Sequence, residues 1–110
     1  MIVVDSSVLV HALVNSTSLG DQTNRRLRNE SIAAPGLIDL ETLNAIKHLE
    51  RGRVIAPDEA QAIVEGLSSL PLIRYEHWPF LDRCWELRHN LSVYDSSFVA
   101  LAEALESTLV

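Results

Sequence analysis

MIVVDSSVLV, residues 1–10, is the stretch on which the reading of this chain turns. Ile2, Val3 and Val4 form a β-branched run that reads as a strand. Asp5 closes it, and after Ser6 and Ser7 the apolar pattern resumes with Val8, Leu9 and Val10. A carboxylate at the end of a buried strand is costly unless it is paired, hydrogen-bonded or metal-bound. The carboxyl end of a central parallel strand, where a sheet opens into a crevice, is the usual place for one. Asp5 also suits a plainer role, capping a helix that starts at Ser6. Which role holds depends on whether other carboxylates converge on it.

The 110 residues suffice for one domain with a core. The apolar share, 47%, is that of a globular protein, without low-complexity tracts or repeats. No run is apolar enough over a bilayer's width, and the N-terminal run, short and carrying Asp5, lacks the form of a signal peptide. No membrane role is expected. Cys84 is the only cysteine, which excludes an intramolecular disulfide and suits a cytoplasmic setting. It reads as a small core hydrophobe. A net charge of −6 argues against broad, charge-driven nucleic-acid binding. It leaves a nuclease open, because a cation held by acids reverses the local field.

Outward from the first stretch, Ser6–Val14 reads as a helix, residues 15–20 as a polar turn and 21–28 as an exposed helix with a basic cluster at Arg25, Arg26 and Arg28. Residues 31–34 form a strand broken by Pro35-Gly36. A helix over Leu37–Arg51 stops at Gly52. Its leucines and isoleucine at 37, 40, 43, 46 and 49 recur every three residues, so the stripe winds round the helix and implies apolar contacts on several sides. Glu41 and Asn44 share a face, which His48 extends; the plainer alternative is a solvated face carrying Asp39, Glu41, Lys47 and His48. Pro57, Asp58 and Glu59 open an amphipathic helix with Ala60, Ile63, Val64 and Leu67 inward. Leu72–Tyr75 is a third strand. Pro79 opens a helix, and another begins at Asp95 with Phe98, Leu101, Ala102 and Leu105 on its apolar face. Residues 108–110 start a fourth strand. The four His residues lack close metal-ligand spacing and read as surface or packing residues.

This order points to an α/β fold, a central parallel sheet with helices on both faces. Asp5, Glu41 and Asp95 can then all lie near the carboxyl edge of the sheet. Three carboxylates at one mouth repel unless a cation sits among them. An all-oxygen set suits Mg²⁺ or Mn²⁺ over zinc. A divalent ion with an activated water is the chemistry of phosphodiester hydrolysis, and Asn44, one turn from Glu41, is placed to hold a carboxylate.

VVDSSVLV (3–10), LIDLETLNAIKHL (37–49) and SVYDSSFVALAEAL (92–105) together resemble the PIN domain. The likeness is to the VapC-type ribonuclease toxins of bacterial toxin–antitoxin pairs, and it covers nearly the whole chain. The resemblance implies a three-layer α/β/α domain over residues 1–110. It implies a Mg²⁺-dependent endoribonuclease with Asp5, Glu41 and Asp95 as the metal-binding acids, supported by Ser7 and Asn44. It further implies an RNA substrate, an inhibiting antitoxin and a homodimer. The family's further acid, in a T-x-D segment after the fourth strand, is not among the 110 residues. The chain therefore reads as lacking its closing segment, and as weakly active. Two rival enzymes fit poorly: Ser7 stands where an aspartyl-nucleophile phosphohydrolase has a second Asp, and Lys47, the only lysine, lies too early for a receiver domain. The remaining alternative is a non-catalytic PIN-like binding module.

Overall fold

The computed structural model describes residues 1–14 and 30–110. The expected turn over 15–20 and the helix and arginine cluster over 21–28 lie outside the described residues. In chain order the elements are β1 (Ile2–Val3), α1 (Ser6–Val14), β2 (Ile32–Pro35), α2 (Leu37–Arg51), α3 (Pro57–Leu67), β3 (Leu72–Tyr75), a 3₁₀ turn (Trp78–Phe80), α4 (Leu81–Glu86), α5 (Val93–Ala104) and β4 (Thr108–Leu109). The sheet is all-parallel in the order β3-β2-β1-β4, as the alternation of strands and helices requires. Ile2 stands opposite Ile32 and Thr108, and Val3 opposite Ala33 and Leu109.

This strand order sets the place of the site. From β1 the chain steps outward to β2 and β3, then crosses back to β4 on the far side of β1. Connections on the two sides of β1 therefore run in opposite directions, and such a switch point opens a crevice beyond the strands' carboxyl ends. Asp5 lies there, past Val3 and Val4, which are wholly buried.

The core wraps β1 and β2. Val3, Val4, Ala33 and Ala34 of the sheet meet Ile38 of α2 and Phe98 and Leu101 of α5. Continuous apolar strands are what burial on both faces demands. A second cluster, Ile46, Ile55 and Ala60 with Val10, Val14 and Leu49 around it, joins α1, α2 and α3. Cys84 is buried, as expected of a small hydrophobe.

Four local expectations are corrected. The row of α2 that enters the core is Ile38, Thr42 and Ile46 at four-residue spacing, while Leu40 and Leu43 of the three-residue stripe stay exposed. Asp39 does not lie on a solvated face. Its Oδ2 accepts from Arg74 Nε at 2.7 Å, and the same guanidinium donates to the carbonyls of Leu67 and Leu72, pinning edge strand β3 to α2 and the end of α3. Pro35 belongs to β2 as its last residue, opposite Tyr75, and the break follows it. Pro79 lies in the 3₁₀ turn, and α4 begins only at Leu81.

Candidate active site

Asp5 turns out to fill both of its proposed places. It leaves the carboxyl end of β1 and it caps α1: Oδ1 accepts from the Val8 amide at 3.0 Å and from Ser7 Oγ at 2.8 Å. An acidic cap suits the positive end of a helix. Both bonds fall on Oδ1; neither involves Oδ2. The main chain is fixed as well, since the Asp5 amide donates to the Val110 carbonyl at 3.2 Å and the Val110 amide to the Val3 carbonyl at 2.8 Å. β4 thus holds the residue that bears the carboxylate.

Asp95 lies in the first turn of α5 instead of at its start. Ser92 is the cap, its Oγ accepting from the Asp95 amide at 3.0 Å. The Ser-Val-Tyr-Asp spacing carries this signal, a capping residue with an acid three places on. Asp95 itself is exposed. Behind it Ser96 and Ser97 are buried and turn their hydroxyls back to the carbonyls of Val93 and Tyr94.

Glu41, in the second turn of α2, links the two aspartates. Burial pushes its carboxyl above the usual carboxylate range, a Ser6 hydrogen bond pulls it down, and the charges of Asp95 and Asp5 push it up again. Its Oε1 is buried with no hydrogen-bond partner. The three acids, 36 and 54 residues apart along the chain, therefore act on one another across space. They do not form a closed cage: among the described residues no three His, Cys, Asp or Glu side chains are gathered as ligands around one point.

The expected supporting residues divide. Ser7 holds Asp5 through its hydroxyl. Asn44 is exposed, and no hydrogen bond joins it to Glu41 or Asp5. Sequence reasoning passed over Ser6, taking it only as part of the helix entrance. Standing one place after Asp5, it faces Glu41 across the α1–α2 contact.

Two grooves flank the acids. One, of about 460 Å³, runs between α1 and α2 with Ser6 and Ser7 at one end and Val10, Val14, Leu49 and Val54 along it. The other, of about 660 Å³, lies beyond the carboxyl ends of β2 and β3, between the starts of α2 and α5.

The PIN-domain model matches residues 2–110. The chain belongs to the PIN-domain family. Within it the likeness is to VapC proteins. Ribonuclease VapC9 of Mycobacterium tuberculosis is 39% identical over 111 residues, and Ribonuclease VapC12 of the same organism is 36% identical over 110. Each match takes in all of this chain and 84% of the relative. The crystal structure of Mycobacterium tuberculosis VapC20, described as a sarcin–ricin loop cleaving toxin, superposes with a TM-score of 0.68 over 97% of this chain and 85% of that one, at 18% identity. That likeness shows the three-layer α/β/α PIN fold that the four-stranded parallel sheet and its helices already describe.

Proposed function

We propose that this PIN-domain protein is a metal-dependent endoribonuclease, the toxin of a toxin–antitoxin pair. The reading is supported by the electrostatic reach of Asp5 and Asp95 to Glu41, with Asp5 beyond the carboxyl end of β1 at the switch point of the sheet, in a chain whose relatives are named ribonucleases. The donors fit Mg²⁺ or Mn²⁺ in kind: all are carboxylate oxygens, and Glu41 keeps one of them buried and unpartnered. The fit lies in donor type and charge, since the side chains are not already drawn together.

A bound divalent ion supplies an acidified water and offsets charge developing on the phosphate. The chain's own residues do the rest. Asp5 and Asp95 would hold the ion, Asp5 being steadied by Ser7 and by the first turn of α1. Glu41 completes the ligand set or orients the attacking water through Oε1. The water's oxygen would bond to phosphorus as it gives up a proton to solvent, and the bond to the leaving ribose oxygen would break as that oxygen takes a proton from solvent. Asn44, exposed one turn further on, is free to reach the substrate or Glu41. Looped or single-stranded RNA suits the site, because unpaired segments can be splayed into a crevice.

The groove between α1 and α2 suits an antitoxin segment. It is apolar along Val10, Val14, Leu49 and Val54 and ends at the serines beside the acids, where an arginine of the partner would pair with clustered carboxylates. A homodimer is part of the same reading, with Leu43 of α2 and Ile73 of edge strand β3 exposed to meet a second copy. Among the described residues no helix is long and apolar enough to cross a membrane, and a cytoplasmic setting is proposed with the rest.

The test is cleavage of a broad RNA pool by the purified chain, free of inhibitor, in Mg²⁺ and in Mn²⁺. Endonucleolytic products are expected, lost in Asp95→Ala. A wild type that leaves the pool intact in both metals overturns the reading in favour of a binding module.

A further inference from the structure

The outer face of α2 carries a polar row that starts at the acids. Glu41, Asn44, His48 and Arg51 follow one another at spacings of three, four and three residues, so they line up along the helix. Glu41 is half-buried at the head of the row, and the other three are exposed. Lys47, also exposed, neighbours both Asn44 and Arg51 at helical spacing. The core contact belongs to another side of the helix, that of Ile38, Thr42 and Ile46. Glu50, next to Arg51 in the chain, is turned about 100° away from it. Beyond the row comes Arg53, with φ 58°, where the Val54 amide closes the helix on the Leu49 carbonyl at 2.9 Å. Glycine is the residue this kind of cap favours, so an arginine is held here at a backbone cost.

The cations among the described residues divide by place. Arg74 and Arg83 are held by acids, and Arg88 lies over the Trp85 ring and donates to its carbonyl. Lys47, Arg51 and Arg53 enter no ion pair and no side-chain hydrogen bond among the described residues. The unengaged positive charge is thus gathered on the last turns of the helix that bears Glu41.

We infer that Lys47, His48 and Arg51, with Arg53 behind them, bind phosphates of the RNA strand on one side of the bond that is cut. The inference rests on the ribonuclease reading above. A strand whose phosphate sits at the acids must leave over a neighbouring surface, and this row begins at one of those acids. At a rise of 1.5 Å per residue, Arg51 stands about 15 Å from Glu41 along the helix axis. A stacked strand advances about 3.4 Å per nucleotide, so the row spans about four nucleotides. On a chain of net charge −6, cations confined to one strip attract a polyanion there and nowhere broadly. Such contacts fix the strand's place and register, and sequence is chosen by contacts to bases.

Salt dependence tests this. A labelled single-stranded oligoribonucleotide of mixed sequence is titrated in Mg²⁺ with the Asp95→Asn protein, which halts turnover, and followed by fluorescence anisotropy. Adding Arg51→Gln or Lys47→Gln weakens binding severalfold and makes the plot of log affinity against log salt shallower by about 0.7. Arg88→Gln, an equal change of net charge placed on α4, leaves that slope as it was. In otherwise wild-type protein, Arg51→Gln and Lys47→Gln raise KM severalfold and leave kcat unchanged. An unchanged slope in both row variants, or an equal fall in Arg88→Gln, overturns the proposal. So does a slope that falls for polyglutamate and not for RNA, which assigns the row to an acidic protein segment. RNA binding with the expected slopes but no cleavage by the wild type sinks the ribonuclease reading alone. Cleavage with unchanged slopes sinks only the phosphate row.

Discussion

Asp5 joins two duties in one side chain, and the duties separate by substitution. Asparagine keeps an oxygen able to cap α1 and to accept from Ser7, but removes the charge. Asp5→Asn should therefore fold as well as the wild type without metal and bind Mn²⁺ more weakly. Titration calorimetry measures this, and equal affinity in the two proteins removes Asp5 from the ligand set. Glu41 offers a second test at the same scale. Its carboxyl is lifted above the ordinary value of 4.5 first by burial and then by the two aspartates. A group whose folded pKa is raised stabilises the fold when protonated, below its unfolded pKa, and that contribution is lost as pH rises through the folded pKa. Glu41→Gln should thus raise the thermal midpoint of the metal-free protein at pH 7, with the gain shrinking as pH falls toward 4.5. A midpoint lowered at pH 7 would contradict the account of burial and repulsion.

At the scale of elements, the sequence carried most of the architecture. Apolar runs closed by breakers, and patterns of helical period, placed the described strands and α-helices in their order. The three acids stood out because each interrupts or opens an apolar element. What it hid was three-dimensional. Ile38 and Thr42 face the core because α2 lies over β2 and against α1, and a stripe at every third residue does not report which side that is. Asp39 looked solvated because its partner, Arg74, is 35 residues away on another strand. The start of α5 was misplaced because the capping serine three residues before Asp95 was overlooked beside the more conspicuous Asp-Ser-Ser. Gly52 ends α2 as expected, and the residue that then enters the left-handed region is Arg53, with φ 58°. The Ser92 cap gives a prediction at this scale. Ser92→Ala should destabilise the fold by about 1 kcal/mol in urea unfolding, and Ser92→Asp should restore most of it. An unchanged midpoint in Ser92→Ala would mean that water serves the Asp95 amide equally well.

For the whole molecule, the distribution of apolar surface is uneven. The core closes tightly round β1 and β2, while Leu43 on α2 and Ile73 on β3, an edge strand, remain exposed. Unpaired strand edges and exposed apolar side chains invite a partner. Light scattering over a range of concentrations should find a dimer, and a strict monomer at high concentration counts against it. The sheet's other edge has a consequence of a different kind. β4 is exposed, and just beyond it the Val110 carbonyl receives the amide proton of Asp5. Local opening at the edge of a sheet costs less than global unfolding. When the edge opens, one backbone proton beside the carboxylates meets solvent. The rate at which that single proton trades for deuterium is a clock on the state of the acid cluster. It should slow when Mn²⁺ draws the acids together, quicken when Thr108→Pro loosens the ladder, and hold steady when substitutions elsewhere leave the mouth of the sheet alone.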